Sequence, residues 1–339
     1  MSKNKRIIWQ LPFLVFLIIG STLIIRKQQS TPYQHDEGFV FGTVYHITYQ
    51  CDSSLNKGII AELDKVDQSL STFNKESIIS RVNRNEPVHT NDMFDHVFTL
   101  AQKVSANTGG AFDITVAPLV NAWGFGFKTG KQPDAGTLDS LRALVGFHNV
   151  SLNNGRVTKK NPNTMLDCSA IAKGYGCDVV ARYLEAKGID NYMVEIGGEV
   201  VTHGRSEKRL PWKIGVTKPT DDSLNVNSEL QTVINVRDMA MATSGNYRNF
   251  YYKNGRKYAH TIDPQTGLPV QHSLLSATVL AKTCAEADAY ATSFMVLGME
   301  KTKKVLEKHP ELMAYLIYTD HKGALQVWYS PSMKDKIVK

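Results

Sequence analysis

Leu275–Leu297 reads LSATVLAKTCAEADAYATSFMVL. Its first seven residues predict a strand, and Ala285–Leu297 predicts a helix in which Ala287, Ala289 and Ala291 allow close packing. Beyond it, MAYLIYTD (Met313–Asp320) and LQVWYS (Leu325–Ser330) predict a hairpin that closes the chain. A strand, a helix and then two strands in sequence is not the regular βαβ alternation of a doubly wound parallel sheet. The same irregular mixture runs upstream. GTVYHITYQ (Gly42–Gln50) alternates, with Tyr45, Ile47 and Tyr49 on one face, and predicts a strand. Ile59, Ile60, Leu63, Val66 and Leu70 predict an amphipathic helix over 57–70. Phe94, Val97, Phe98, Ala101 and Val104 predict another over 91–107, stopped by Thr108-Gly109-Gly110. A short helix is expected through Leu138, Leu141, Leu144 and Val145, and a longer one over 170–187. YMVEI, VVTHG, WKIGV and TVINV read as strands, and Tyr251–Tyr258 as a hairpin turning at Asn254-Gly255. The expectation is an α+β protein: one body of mixed sheets and packed helices over 38–333, after a polar linker at 26–37 and before a basic tail at 334–339.

Of the formal net charge of +7, Lys3, Lys5, Arg6, Arg26 and Lys27 supply five, with no acid among residues 1–30. The remainder is nearly neutral and lacks the basic footprint of a nucleic-acid binder. The basic flank 1–6 precedes an apolar run, Ile7–Ile25, of roughly 30 Å at helical rise, the thickness of a bilayer core. No small-x-small cleavage site follows. The expectation is a membrane anchor with the body on the extracytoplasmic side, with a cleaved signal peptide as the alternative. Cys51, Cys168, Cys177 and Cys284 contain no CxxC pair, which argues against a zinc site. Cys168 and Cys177 are either bridged or buried free thiols.

Four clusters could carry chemistry. Asp288 and Thr292 stand four apart on the expected helix and share a face. Together they can offer hard oxygens to Mg²⁺, or the aspartate serves a local hydrogen bond. LDCSAIAKGYGCD (Leu166–Asp178) places Asp167 at a strand end and Lys173-Gly174 near a helix start, where phosphate can bind. It is no Walker A loop, and a capped helix with an exposed lysine is the alternative. GGAFDITVAPLVNAWGFG (Gly109–Gly126) brackets Asp113 with glycines that let backbone approach something flat, while Phe112, Trp123, Phe125 and Phe127 suit a core. MATSGNYRNF (Met241–Phe250) is the fourth. HTIDPQTGLPV (His260–Val270) carries turn punctuation at Pro264, Gly267 and Pro269. There is no GxSxG and no HExxH.

Taken in order, these stretches resemble the ApbE family of FAD:protein FMN transferases, formerly called thiamine-biosynthesis lipoproteins. FGT (Phe41–Thr43), STFNKESIISRVN (Ser71–Asn83), GGAFDITVAPLVNAWGFG, LDCSAIAKGYGCD, EIGGE (Glu195–Glu199), ATSGNY (Ala242–Tyr247), HTIDPQTGLPV and AEADAYAT (Ala285–Thr292) follow one another in family order. The resemblance implies an enzyme that cleaves the pyrophosphate of FAD and transfers FMN to a threonine hydroxyl, releasing AMP, with Mg²⁺ required. It implies acceptors among flavoprotein subunits of sodium-pumping NADH:quinone reductase or of the Rnf complex. A periplasmic FAD pyrophosphatase and a non-catalytic FAD-binding or scavenging protein are the alternatives.

Carried over position by position, the resemblance implies that Phe41 lines the flavin and Phe73 stacks on it. Ala111, Phe112 and Asp113 would contact FAD through backbone and carboxylate, and Asp167 and Lys173 are implied FAD contacts. Asp288 and Thr292 would bind the metal with the Ala170 carbonyl, and Ala291 sits where some members have a further ligand. His260 is implied beside the reaction centre, with Ile262 on the flavin side of the same strand. Between His260 and Asp288 as general base, His260 is preferred, because a metal-bound carboxylate is a poor base.

Overall fold

The computed structural model describes residues 12–24, 31–126, 133–220, 229–246, 250–253 and 256–338. Its frame is an eight-stranded antiparallel sheet. From edge to edge it runs β1 (Tyr33–Val40), β2 (Thr43–Gln50), β5 (Tyr192–Ile196), β6 (Glu199–His203), β9 (Met239–Gly245), β12 (Leu274–Ala281), β13 (Met313–Thr319) and β14 (Leu325–Tyr329). Helices α7 (Ser169–Ala186) and α8 (Cys284–Lys308) lie on one face, backed by α2 (Asn56–Leu70) and α4 (Asp92–Asn107); α3 (Ile78–Asn83), α5 (Ala117–Ala122) and the small hairpin β3 (Val150–Asn153) with β4 (Arg156–Lys159) lie between them in the chain. This is the α+β architecture expected.

Strand periodicity sorts the core. Ala242, Ala277, Val279, Ala314 and Leu316 face the helices, while Met241, Leu280, Tyr315 and Ile317 point the other way. That second face is covered by Val216, Ile234 and Val236 of a separate hairpin, β7 (Trp212–Thr217) with β8 (Leu230–Val236). With both faces covered, the central strand β9 shows no alternation of apolar and polar residues, and periodicity predicts no strand there.

The predicted helix Ala285–Leu297 ends where α8 breaks. Gly298 has φ 70, outside helical space, and a second helical segment continues to Lys308. A single segment would bring the chain back to the start of β12 and favour a parallel neighbour. The second segment carries it across, and β13 pairs antiparallel with β12.

Several boundaries differ from expectation. Residues 33–37, read as linker, belong to β1, which pairs with β2 from Tyr33↔Gln50 to Val40↔Thr43. The polar composition of β1 reflects an edge strand. The tail is not free: Pro331–Lys336 forms a 3₁₀ helix with Met333 buried, Ile337 bridges to Ile234, and the Val338 N–H donates to the Val233 carbonyl at 2.9 Å. The short helix lies earlier than its leucines suggested, at α6 (Ala135–Arg142), because Asp134 caps it by accepting from the Thr137 N–H at 2.7 Å. The expected hairpin is present as β10 (Phe250–Lys253) and β11 (Arg256–Ala259), while Asn254-Gly255 lies outside the described residues. Residues 12–24 are helical (α1), with Phe13, Phe16 and Ile24 exposed. Among the described residues no helix is long and apolar enough to cross a membrane; Ile7–Leu11 and Ile25 of the expected span, and the flank 1–6, lie outside them.

Candidate active site

The site is built where α7 and α8 meet. At the start of α7, Asp167 Oδ1 accepts the Ser169 N–H at 2.8 Å and the Ser169 hydroxyl. Asp178, further along α7, accepts the N–H groups of Cys284 and Ala285 at 2.8 and 2.9 Å, so α7 caps the first turn of α8. The helices approach closely at Gly174, where a Cβ would lie 2.4 Å from the Cys284 carbonyl oxygen. This contact carries Asp288, one turn into α8, onto α7: its Oδ2 accepts the Gly174 N–H at 3.1 Å. In a regular helix that N–H addresses the Ala170 carbonyl. Asp288 therefore competes for the hydrogen that would otherwise occupy Ala170's oxygen.

Lys173 leaves the same turn and donates from Nζ to Glu199 Oε1 at 2.5 Å. Glu199 follows the Gly197-Gly198 turn between β5 and β6, where both glycines have positive φ (65 and 101). Its side chain is buried, and Oε2 has no hydrogen-bond partner among the described residues. Burial raises the Glu199 carboxyl above its usual range, opposed by Lys173 and reinforced by Asp288. Burial raises Asp288 as well, against the pull of Lys173 and the Gly174 N–H. For Lys173, burial alone would favour the neutral amine, but the two carboxylates outweigh it and its pKa is raised. Two buried carboxylates thus lie near one ammonium, which is hydrogen-bonded to Glu199. Spacing alone gives Glu199 of EIGGE no role; the signal available for it is a carboxylate directly after a paired-glycine turn.

These groups line one cleft of about 520 Å³. Asp288, Thr292 and Val296 present one face of α8 to it, and Asp167, Ala170 and Lys173 present α7. Phe73, 77% exposed, stands at its rim. Ala111, Phe112 and Asp113 form part of the wall, as do His260 and Ile262, with the Phe125 ring edge-on to the His260 imidazole at 6.5 Å between centroids.

Three expected site residues behave differently. Phe41 does not line the cleft. With Gly42 it makes the tight β1–β2 turn (φ 51 and 75), and its ring covers Gly176 of α7, 2.6 Å from where a Cβ would be. Ala291 is fully buried in the core, so its methyl faces packed side chains and offers no donor. Asp113 lines the cleft, but its carboxylate already accepts from the Thr115 N–H (2.8 Å) and hydroxyl (2.6 Å) and from the Phe147 N–H (2.7 Å). It fixes the loop more than it presents an open ligand. Phe127 of the same stretch lies outside the described residues.

HTIDPQTGLPV is a turn whose first residues line the cleft. Ile262 bridges Pro269, Asp263 Oδ1 accepts the Gln265 N–H at 2.8 Å, and the Gly267 N–H donates to the Asp263 carbonyl at 2.8 Å. The four cysteines are free, and Cys168, Cys177 and Cys284 are buried thiols.

Among the described residues no group of three or more His, Cys, Asp or Glu gathers to hold a metal. The donors implied by the resemblance that line the cleft are one carboxylate (Asp288), one hydroxyl (Thr292) and the contested Ala170 carbonyl. That all-oxygen set suits a hard cation such as Mg²⁺, which keeps several waters and takes few protein ligands.

The model of the ApbE family matches residues 41–317. The FAD:protein FMN transferase of Escherichia coli is 35% identical over 316 residues, covering 89% of this chain and 88% of that protein. The Haemophilus influenzae protein of the same name is 39% identical over 301 residues, covering 84% and 86%. Among solved structures, the flavin transferase ApbE from Vibrio cholerae superposes with a TM-score of 0.82 at 35% identity, over 90% of this chain and 99% of that one. The flavinyl transferase ApbE of Pseudomonas stutzeri gives 0.79 at 31% identity, over 90% and 97%.

Proposed function

The chain belongs to the ApbE family, and on that premise we propose that it is an FAD:protein FMN transferase, moving FMN from FAD onto a hydroxyl of a target protein and releasing AMP. One observation carries this reading: Lys173, His260, Asp288 and Thr292, from three separate stretches of sequence, line a single cleft. Phosphoryl transfer asks mainly for positioning and charge stabilisation, and these residue types supply both.

The acceptor oxygen attacks the FMN phosphorus, the bond from that phosphorus to the AMP oxygen breaks, and AMP leaves. The hydroxyl proton passes to His260, since imidazole is the side chain suited to proton exchange near neutral pH. Lys173 places a positive charge on the phosphate side. Asp288, Thr292 and the Ala170 carbonyl would hold Mg²⁺, which when bound draws charge from the pyrophosphate. Phe73 offers an exposed ring for stacking, and the Ala111–Asp113 backbone, Asp167 and Ile262 complete the flavin side.

The acceptor group is a threonine hydroxyl, on flavoprotein subunits of the sodium-pumping NADH:quinone reductase or Rnf type. Basic residues followed by the apolar run Ile7–Ile25 support an anchor in the inner membrane, with the catalytic body on the periplasmic side. The test is to incubate the protein with FAD, Mg²⁺ and a small domain carrying a threonine acceptor motif, and to weigh that domain. An added FMN mass is expected. AMP and FMN free in solution with an unlabelled domain would instead identify an FAD pyrophosphatase. Intact FAD after hours would leave a binding protein.

A further inference from the structure

Glu199 is a buried charged group that lines the cleft and that the transfer step leaves unused. It sits on a fixed turn: a Cβ at Gly197 would lie 2.8 Å from Thr43, so the turn is packed against β2. Its carboxylate holds Lys173 through Oε1 alone, at 2.5 Å, with Oε2 buried and unpartnered among the described residues. On the other side of the same helical turn, the Gly174 N–H holds Asp288. Consecutive residues of α7 therefore face two different carboxylates, and the single ammonium lies with one of them. Asp288 is the other carboxylate that acts on Lys173.

We propose that Glu199 is a positioning residue that keeps the Lys173 ammonium off Asp288, leaving the Asp288 carboxylate available to a divalent cation. This rests on the metal reading given above. Lysine is a point charge on a flexible stem, free to turn to a second nearby carboxylate when the first loses its charge. Removing the charge of Glu199 leaves Asp288 as its partner. An ammonium there competes directly with a hard cation for the same oxygens. Glu199 thus acts on the cation through Lys173 without touching it.

The test follows Mn²⁺ uptake by electron paramagnetic resonance on the full chain without FAD. Glu199→Gln keeps the side-chain shape and drops the charge, and Mn²⁺ binding is expected to weaken on the order of tenfold, since a close ammonium is only partly screened in a buried site. Lys173→Met alone removes the competitor and is expected to bind Mn²⁺ more tightly than the wild type. The double variant is expected to recover at least wild-type affinity. Unchanged binding in Glu199→Gln overturns the proposal. A double variant as weak as Glu199→Gln also overturns it, because Glu199 would then be a direct ligand. Weaker binding by Lys173→Met, a variant that leaves Glu199 intact, overturns it even if Glu199→Gln fails to fold. A wild type that takes up no Mn²⁺ removes the metal reading itself and this inference with it.

Discussion

Gly174→Ala tests whether the spacing of α7 and α8 sets the site. The added Cβ would meet the Cys284 carbonyl oxygen at 2.4 Å, its carbon at 2.7 Å and the Ala285 nitrogen at 2.9 Å. All three are backbone atoms, so no rotamer change relieves the contact. The helices must part by about an ångström to restore ordinary van der Waals distances, and such overpacking typically costs about 1–3 kcal/mol. Replacing glycine in a helix interior returns about 1 kcal/mol. The net loss of about 0–2 kcal/mol leaves a domain of ordinary stability folded. The catalytic effect should be larger. Asp288 is held on α7 by the Gly174 N–H at 3.1 Å, and Asp178 ties the start of α8 to the same helix. Displacing the Asp288–Thr292 face by an ångström is expected to lower kcat/KM for AMP release by roughly 100-fold. Urea unfolding and initial-rate kinetics on the same preparation give both numbers. A stable variant with wild-type kcat/KM would refute the reasoning. So would a loss of activity fully accounted for by unfolded protein.

Asp288→Ala should abolish AMP release and Mn²⁺ uptake together; wild-type turnover at limiting Mg²⁺ would show that the carboxylate holds no metal. Phe73→Ala should raise the KM for FAD with stability unchanged within about 0.5 kcal/mol, because the ring is exposed at the rim. Phe41→Ala should do the reverse, lowering the melting temperature while FAD affinity stays within about twofold, since its ring packs on Gly176. Asp178 should imprint a pH dependence on stability: burial raises its pKa from 3.8 to about 6, against the pull of the two N–H groups it caps. The folded state then binds that proton more tightly than the unfolded state, so its contribution is full below pH 3.8 and lost as pH rises through about 6. In Asp178→Asn this slope should vanish from the pH profile of the urea midpoint, and an unchanged slope would rule out Asp178 as its source.

Short-range spacing made much of this protein legible in its sequence. Asp288 and Thr292 share a helix face because four residues make about one turn, and the turn in HTIDPQTGLPV follows from its proline and glycine positions. The helices at 57–70 and 91–107 came directly from apolar periodicity, and the order of the motifs carried the family. What the sequence could not decide were contacts closed over long separations. β1 is polar because its partner lies on one side only. β9 carries no alternating pattern because both its faces are covered. Phe41 turns away from the cleft because the β1–β2 hairpin needs positive φ at two successive residues. Ala291 falls in the core because α8 packs that side against the sheet and its neighbouring helices. Glu199 reaches Lys173 across 26 positions of chain. Local spacing fixes which side chains share a face; register, helix–helix distance and the break at Gly298 fix what that face meets, and those depend on the whole packed body.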